Sequence, residues 1–397
     1  MAFTLRYGVD SSLSLDAPSG ELTVCDAPKG AAVADLPAAV AAALSAPLDY
    51  PPLAQALLPG DKVTLALAPD LPQPEAILAA LMTVLASAGV ETADVTLLRT
   101  EGAAGEVGPW PTLAHTPGQR DSLGFLGSTS HGDEIYLHRT LADADVVISV
   151  GVLRLEPSAG YYGVQGGVYP AFADAKTQAR FRNLDQRGTP AEALRQARSD
   201  VDDAARQLGS QFTLQVVPGA GDAALHVLAG LSASVERRGR ELMQAAWTFD
   251  VPARAELVIA AIAGSAERQT WSALGRAVAA ALPVLADDGA IAVCCDLAEL
   301  PGPAVESLAF GDDRRAALRH WKKHAPADFL PALQLAEAME RGRVYLLSRL
   351  SESLVEELGM AAIANGAELA RLAARGGARL VLAGADQIRV LVRGEET

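Results

Sequence analysis

The segment Lys62-Val63-Thr64-Leu65-Ala66-Leu67 follows the turn residues Pro59-Gly60-Asp61, and Pro74 stands shortly after it. A short, continuously apolar run of this kind suits a parallel strand buried on both faces. Proline is favoured at the first turn of a helix. The spacing therefore predicts a helix over Glu75 to Ala88, closed by Gly89, and a next strand at Val95 to Leu98. A βαβ unit confines the chain to an α/β sheet whose ligands gather beyond the strands' carboxyl ends, where Asp70 is expected.

The same alternation recurs along the chain. A small meander is expected over Phe3–Gly8, Ser12–Leu15 and Glu21–Cys25, then a helix over Ala34–Leu44. Strands Glu134–Leu137 and Asp145–Val150 lead to the glycine-rich stretch Gly160-Tyr161-Tyr162-Gly163-Val164-Gln165-Gly166-Gly167. Helix Ala191–Leu208, strands Phe212–Val217 and Ala224–Leu228, and helix Ser232–Ala246 follow. Phe249 to Arg254 reads as a linker, after which a second alternating set opens with strand Ala255–Ala261 and helix Arg268–Ala281 and runs to Val392. Two α/β domains facing across a cleft are expected, 1–252 and 253–397, with an alternative in which the last strand returns to the first domain.

Composition narrows the partners. The 397 residues carry a formal net charge of −15, which disfavours nucleic acid and anionic membrane surfaces. The three cysteines, Cys25, Cys294 and Cys295, form no metal-binding or disulfide pattern and read as small buried hydrophobes. The N-terminus, with Arg6 and Asp10, lacks the apolar core of a signal peptide. No uninterrupted apolar run is long enough to span a bilayer, so the expected compartment is the cytoplasm. The six histidines show no HxH or HExxH spacing, although His320 and His324 stand four apart. An exposed basic patch is the simpler reading of that pair, given Lys322 and Lys323 between them.

The glycine stretch, together with strand Val146–Gly151 before it, resembles the central loop of the nickel-pincer lactate racemases. Further matches in order are His115-Thr116, Leu126-Gly127-Ser128-Thr129, Gly132, His138-Arg139, Ala144-Asp145 and Ala229-Gly230. The resemblance implies two α/β domains around a cleft, and a nickel-pincer nucleotide held by a lysine and a histidine. It also implies hydride exchange at C2 of a 2-hydroxy acid, with two histidines as acid and base.

The residues that carry that chemistry are replaced. The lysine position is Gly166, its arginine neighbour is Gln165, and the metal-ligand histidine position is Arg182. One acid/base histidine aligns with Glu156, and the other falls near Gly102 to Ala104. The family's Asp-x-x-Arg-Pro becomes Asp70-Leu71-Pro72-Gln73-Pro74, and its Gln-x-x-Lys falls at Ser272 and Gly275, with Arg276 adjacent.

Three expectations follow. The leading one is a lactate racemase-like pseudoenzyme that binds or senses a small anionic or hydroxy-acid ligand. Gly160, Gly163, Gln165, Gly166 and Arg182 stand at its cofactor positions, and Gln73, Tyr161, Trp271 and Arg276 at the substrate. The second is a racemase or epimerase of a 2-hydroxy acid holding the pincer without a covalent link, which needs His115 or His138 at the cleft. The third is an enzyme repurposed around the carboxylates Asp70, Glu101 and Glu156, working by acid/base chemistry or with a divalent cation. A set of solvated carboxylates is the alternative for that trio, as a tight crossover is for the glycine loop.

Overall fold

The chain begins with an antiparallel hairpin, β1 (Ala2–Tyr7) and β2 (Ser11–Asp16), and a short strand, β3 (Leu22–Cys25). The structure is a computed structural model that describes residues 2–16, 22–100, 107, 110, 112–155, 160–184, 189–309, 313–374 and 377–394.

Helices α1 (Leu36–Ser45) and α2 (Leu53–Ala56) precede β4 (Val63–Leu67), α3 (Pro74–Ser87) and β5 (Val95–Thr100). All five residues of β4 are buried, as a central parallel strand requires. Next come β6 (Thr112–His115), the hairpin β7 (Leu123–Ser128) and β8 (Glu134–His138), α4 (Arg139–Ala142) and β9 (Val146–Val152). Helices α5 (Ala175–Arg182) and α6 (Pro190–Leu208) lead to the antiparallel pair β10 (Phe212–Pro218) and β11 (Ala224–Leu231). The first sheet has the order β11-β10-β9-β4-β5-β6 and is parallel except for β11.

Helix α7 (Ser232–Trp247) and strand β12 (Thr248–Val251) connect to β13 (Ala255–Ala261), α8 (Trp271–Ala281) and β14 (Leu285–Cys294). Short helices α9 (Pro303–Glu306) and α10 (Arg314–Arg319) precede α11 (Phe329–Arg341) and β15 (Arg343–Leu347). The chain ends through α12 (Glu352–Glu357), β16 (Ala361–Ala362), α13 (Gly366–Ala373), β17 (Arg379–Ala383) and β18 (Arg389–Val392). The second sheet is wholly parallel, in the order β16-β15-β14-β13-β17-β3.

The N-terminal segment thus does not stay with the residues that follow it. β3 closes the edge of the second sheet by pairing with β17. Leu5 and Leu15 of the hairpin pack with Leu257, Ile259 and Val381. The stretch expected as a linker is also structured: β12 pairs in parallel with β18, Thr248 opposite Arg389. The apolar character of Phe249 and Val251 serves that ribbon. Cys294 and Cys295 are buried and unbridged, as is Cys25. Among the described residues no helix is long and apolar enough to cross a membrane.

Both sheets have a point where the strand order reverses. In the first the chain leaves β4 for β5 and β6, then returns to β9 on the other side of β4. In the second it leaves β13 for β14, β15 and β16, then returns to β17 on the other side of β13. Crevices for ligands open at such points, outside the carboxyl ends of the strands.

Candidate functional site

Asp70 follows β4 and Arg154 follows β9, and the two meet as an ion pair at the first reversal point. Arg268 precedes α8 and Asp386 follows β17, and they form an ion pair of 3.2 Å at the second. The two points adjoin. Burial pushes the Arg154 guanidinium well below its ordinary pKa, and the nearby cations Arg276 and Arg268 add to the shift, while Asp386 opposes it. Arg268 also donates to the Gly221 carbonyl at 2.6 Å, tying the second sheet to the β10–β11 turn of the first. Arg276, on α8, donates through Nε to the Asp386 carbonyl at 3.3 Å.

A cleft of about 790 Å³ lies between the halves. Arg154 and Arg182 line it from the first half and Arg276 from the second, with His115 on one wall and His324 on the other. None of its described lining residues is a carboxylate. Arg182 reaches across, donating to the Ala325 carbonyl at 3.2 Å and to Gln178 Oε1 at 2.8 Å. Asn183 repeats the bridge through the Lys322 carbonyl at 2.7 Å. Burial lowers the Arg182 pKa as well, opposed by Tyr162 and Asp328. Guanidinium groups are the side chains whose planar forks match carboxylate and phosphate oxygens.

A side pocket of about 180 Å³ adjoins this cleft and shares Pro69, Arg154 and Gly160 with it. Asp70, Arg154, Tyr161 and the glycine loop line it, including Gly160, Gly163, Gly166 and Gly167. Gly160 and Gly163 have φ of 79° and 89°, the left-handed region where glycine is at ease. A third pocket, of about 440 Å³, lies beside Gln73, Arg99 and Glu267.

The expected site residues divide accordingly. Asp70, Tyr161, Gly160, Gly163 and Gly166 come together with Arg154 at the side pocket, and Arg182 and Arg276 at the wide cleft. Glu101 and Glu156 lie outside the described residues, as do Gly102 to Ala104. Asp70 itself is engaged by Arg154, so it is not a free base.

Three expectations are corrected. Gln165 turns away from the cleft: its Nε2 donates to the Ser210 carbonyl at 2.8 Å and to Ser232 Oγ at 2.6 Å, inside the protein. Trp271 lines neither the cleft nor the side pocket, being 3% exposed with its indole N–H on the Glu299 carbonyl. As the first residue of α8 it packs into the second core, where an apolar ring stabilises more than at a wet rim. Gln73, in the left-handed region at φ 46°, spends its amide on the Asp222 carbonyl at 2.9 Å and lines the third pocket rather than the cleft.

Two further residues matter: His324, read from the sequence as part of a basic patch, and Asp386. His324 belongs to the wide cleft, and α10 ends at Arg319, so His320 and His324 do not share a helix face. Asp386 gave no signal, because a lone aspartate after an apolar strand is common. His115 lies in the cleft wall but is fully buried there, its Nε2 2.9 Å from the Ala173 carbonyl. His138 is buried and caps α4 by accepting from the Thr140 N–H at 3.3 Å.

The nickel-pincer group that the resemblance implies does not fit the residues present. Gly166 offers no amine, Arg182 offers no lone pair to a metal, and the Gln165 amide is bound elsewhere. Among the described residues no cluster of three or more His, Cys, Asp or Glu is arranged to hold a metal ion.

Residues 7–186 match the lactate racemase N-terminal domain. The whole chain superposes on the lactate racemase apoprotein from Thermoanaerobacterium thermosaccharolyticum with a TM-score of 0.80 at 17% identity, covering 98% of this chain and 100% of that one. A Thermotoga maritima protein solved by structural genomics gives a TM-score of 0.67 at 13% identity, over 90% of this chain and 98% of its own. No curated protein matches in sequence. Residues 7–186 are thus similar to the lactate racemase N-terminal domain, and the chain over its length has the fold of the lactate racemase apoprotein.

Proposed function

We propose that this protein binds a small organic anion between its two halves and does not carry out pincer-dependent racemisation. The observation that carries the reading is the lining of the cleft: three arginines, two histidines and no carboxylate among the described residues. Guanidinium groups lining a cleft favour carboxylate or phosphate ligands over neutral or cationic ones. The losses at Gly166 and Arg182 speak against a covalently anchored, metal-bearing cofactor.

The test pairs nickel content with ligand response. Protein made in cells that also produce the pincer cofactor is expected to carry far less than one nickel per chain. It should not racemise 2-hydroxy acids, and its Tm should rise with small carboxylates or phosphates, as binding to the folded state alone demands. Stoichiometric nickel with turnover would overturn the proposal.

A second reading, isomerisation of a 2-hydroxy acid, draws on His115 and His324 lining opposite walls. Two imidazoles could take and return protons from two sides of one ligand. If racemisation is detected and His324→Ala abolishes it while leaving ligand binding intact, this second reading replaces the first.

A further inference from the structure

Most glycines of the loop have a structural reason. Gly160 and Gly163 need positive φ, and a Cβ on Gly167 would sit 3.2 Å from Ser149 Oγ. Gly166 has neither constraint. Its φ is not in the left-handed region, and a Cβ there would meet one atom within 4 Å, the Tyr162 Cβ at an ordinary 3.5 Å. A side chain at 166 would grow into open volume, the side pocket of about 180 Å³ that Gly166 itself lines. One wall of that pocket is Arg154, whose Nη1 is buried and has no hydrogen-bond partner among the described residues. Its other terminal nitrogen, Nη2, is fixed by Asp70. A buried guanidinium N–H without an acceptor is costly and calls for one.

Resting on the anion-binding reading above, we propose that the anionic group of the ligand sits in this side pocket rather than in the wide cleft. It accepts from Arg154 Nη1 in the space that the missing side chain at Gly166 leaves open. At about 30 Å³ per water-sized unit the pocket holds roughly six heavy atoms. The ligand, or its charged end, is therefore a free oxyanion of the size of a phosphate or a two- or three-carbon carboxylate. Arg276 and Arg182 then attract and retain the remainder of the ligand in the wide cleft.

Isothermal titration of the full chain with inorganic phosphate and, separately, with glycolate tests this and tells the two oxyanion classes apart. Wild type is expected to bind at least one of them. Gly166→Leu, which fills the pocket, should weaken that binding at least tenfold, and Arg154→Gln should do the same by removing the donor. If Gly166→Leu does not fold by circular dichroism, the graded pair Gly166→Ala and Gly166→Val is read instead, with affinity expected to fall as the side chain grows. Wild type that binds neither anion overturns the anion-binding reading and this proposal with it. Wild type that binds while the Gly166 variants bind equally well leaves the reading standing and places the anion in the wide cleft, against the proposal.

Discussion

Arg154 and His138 show how a single buried base behaves in this protein when its partners are fixed. Burial and then Arg276 and Arg268 lower the Arg154 pKa, while Asp386 opposes the shift and Asp70 pairs with the guanidinium. His138 has no such counter-charge, so burial first and the neighbouring His115 second lower its pKa from the ordinary 6.5. The folded state therefore keeps His138 neutral at pH values where the unfolded chain protonates it. Its contribution to stability is complete above about pH 6.5 and is lost as pH falls below that point. In urea titrations, wild type should lose stability between pH 7.5 and 5.5. His138→Asn, which retains an acceptor for the Thr140 N–H, should lose about 1 kcal/mol less over the same interval. Equal losses in the two proteins would show that His138 is not one of the groups responsible. Gln165 makes the complementary point. A polar residue in a glycine-rich loop reads from sequence as facing a ligand, yet its amide is consumed by Ser210 and Ser232 in the protein interior. Nothing in the residue's type distinguishes those two directions.

Elements were legible where local chemistry alone decides them. The apolar run after Pro59-Gly60-Asp61 is β4, and Ala255–Ala261 is β13 with the expected ends. Partnership was not legible. The alternation of Leu22 and Val24 marks β3 as a strand, and only the three-dimensional path shows that it edges the sheet of β17. The linker reading of Phe249 to Arg254 failed for a related reason, since β12 finds its partner β18 some 140 residues away. Helix α8 shows a local signal misplaced by the apolar periodicity. It starts at Trp271 rather than at Arg268, because the Thr270 side chain accepts from the Ala273 N–H at 3.2 Å and caps it. That cap also sets the helix that presents Arg276 to the cleft. Thr270→Ala should cost about 1 kcal/mol in denaturant unfolding. It should also weaken phosphate binding several-fold, while Thr270→Ser keeps both near wild type. A stability loss with no change in affinity would mean that Arg276 is held by Asp386 alone.

At the scale of the molecule, the charge of −15 and the cationic cleft pull in opposite directions. Long-range steering does not favour anions, so affinity must come from groups within the site, where screening by salt is weak. Asp386 is the counter-charge on which that local balance turns. It is 4% exposed, pairs with Arg268 at 3.2 Å and receives Arg276 on its carbonyl. Through Arg268 it also helps hold the second sheet to the Gly221 carbonyl of the first half. Asp386→Asn keeps the shape and removes the charge, leaving Arg154, Arg268 and Arg276 with less compensation. Breaking a buried pair in this way should destabilise the ligand-free protein by about 3 kcal/mol. The same change strengthens the positive potential over the side pocket, so saturating phosphate should raise the Tm of the variant more than that of wild type. Differential scanning calorimetry with and without phosphate reads both effects. A variant as stable as wild type, with an equal phosphate shift, would show that the arginines are balanced elsewhere and that the two halves do not depend on Asp386 to meet.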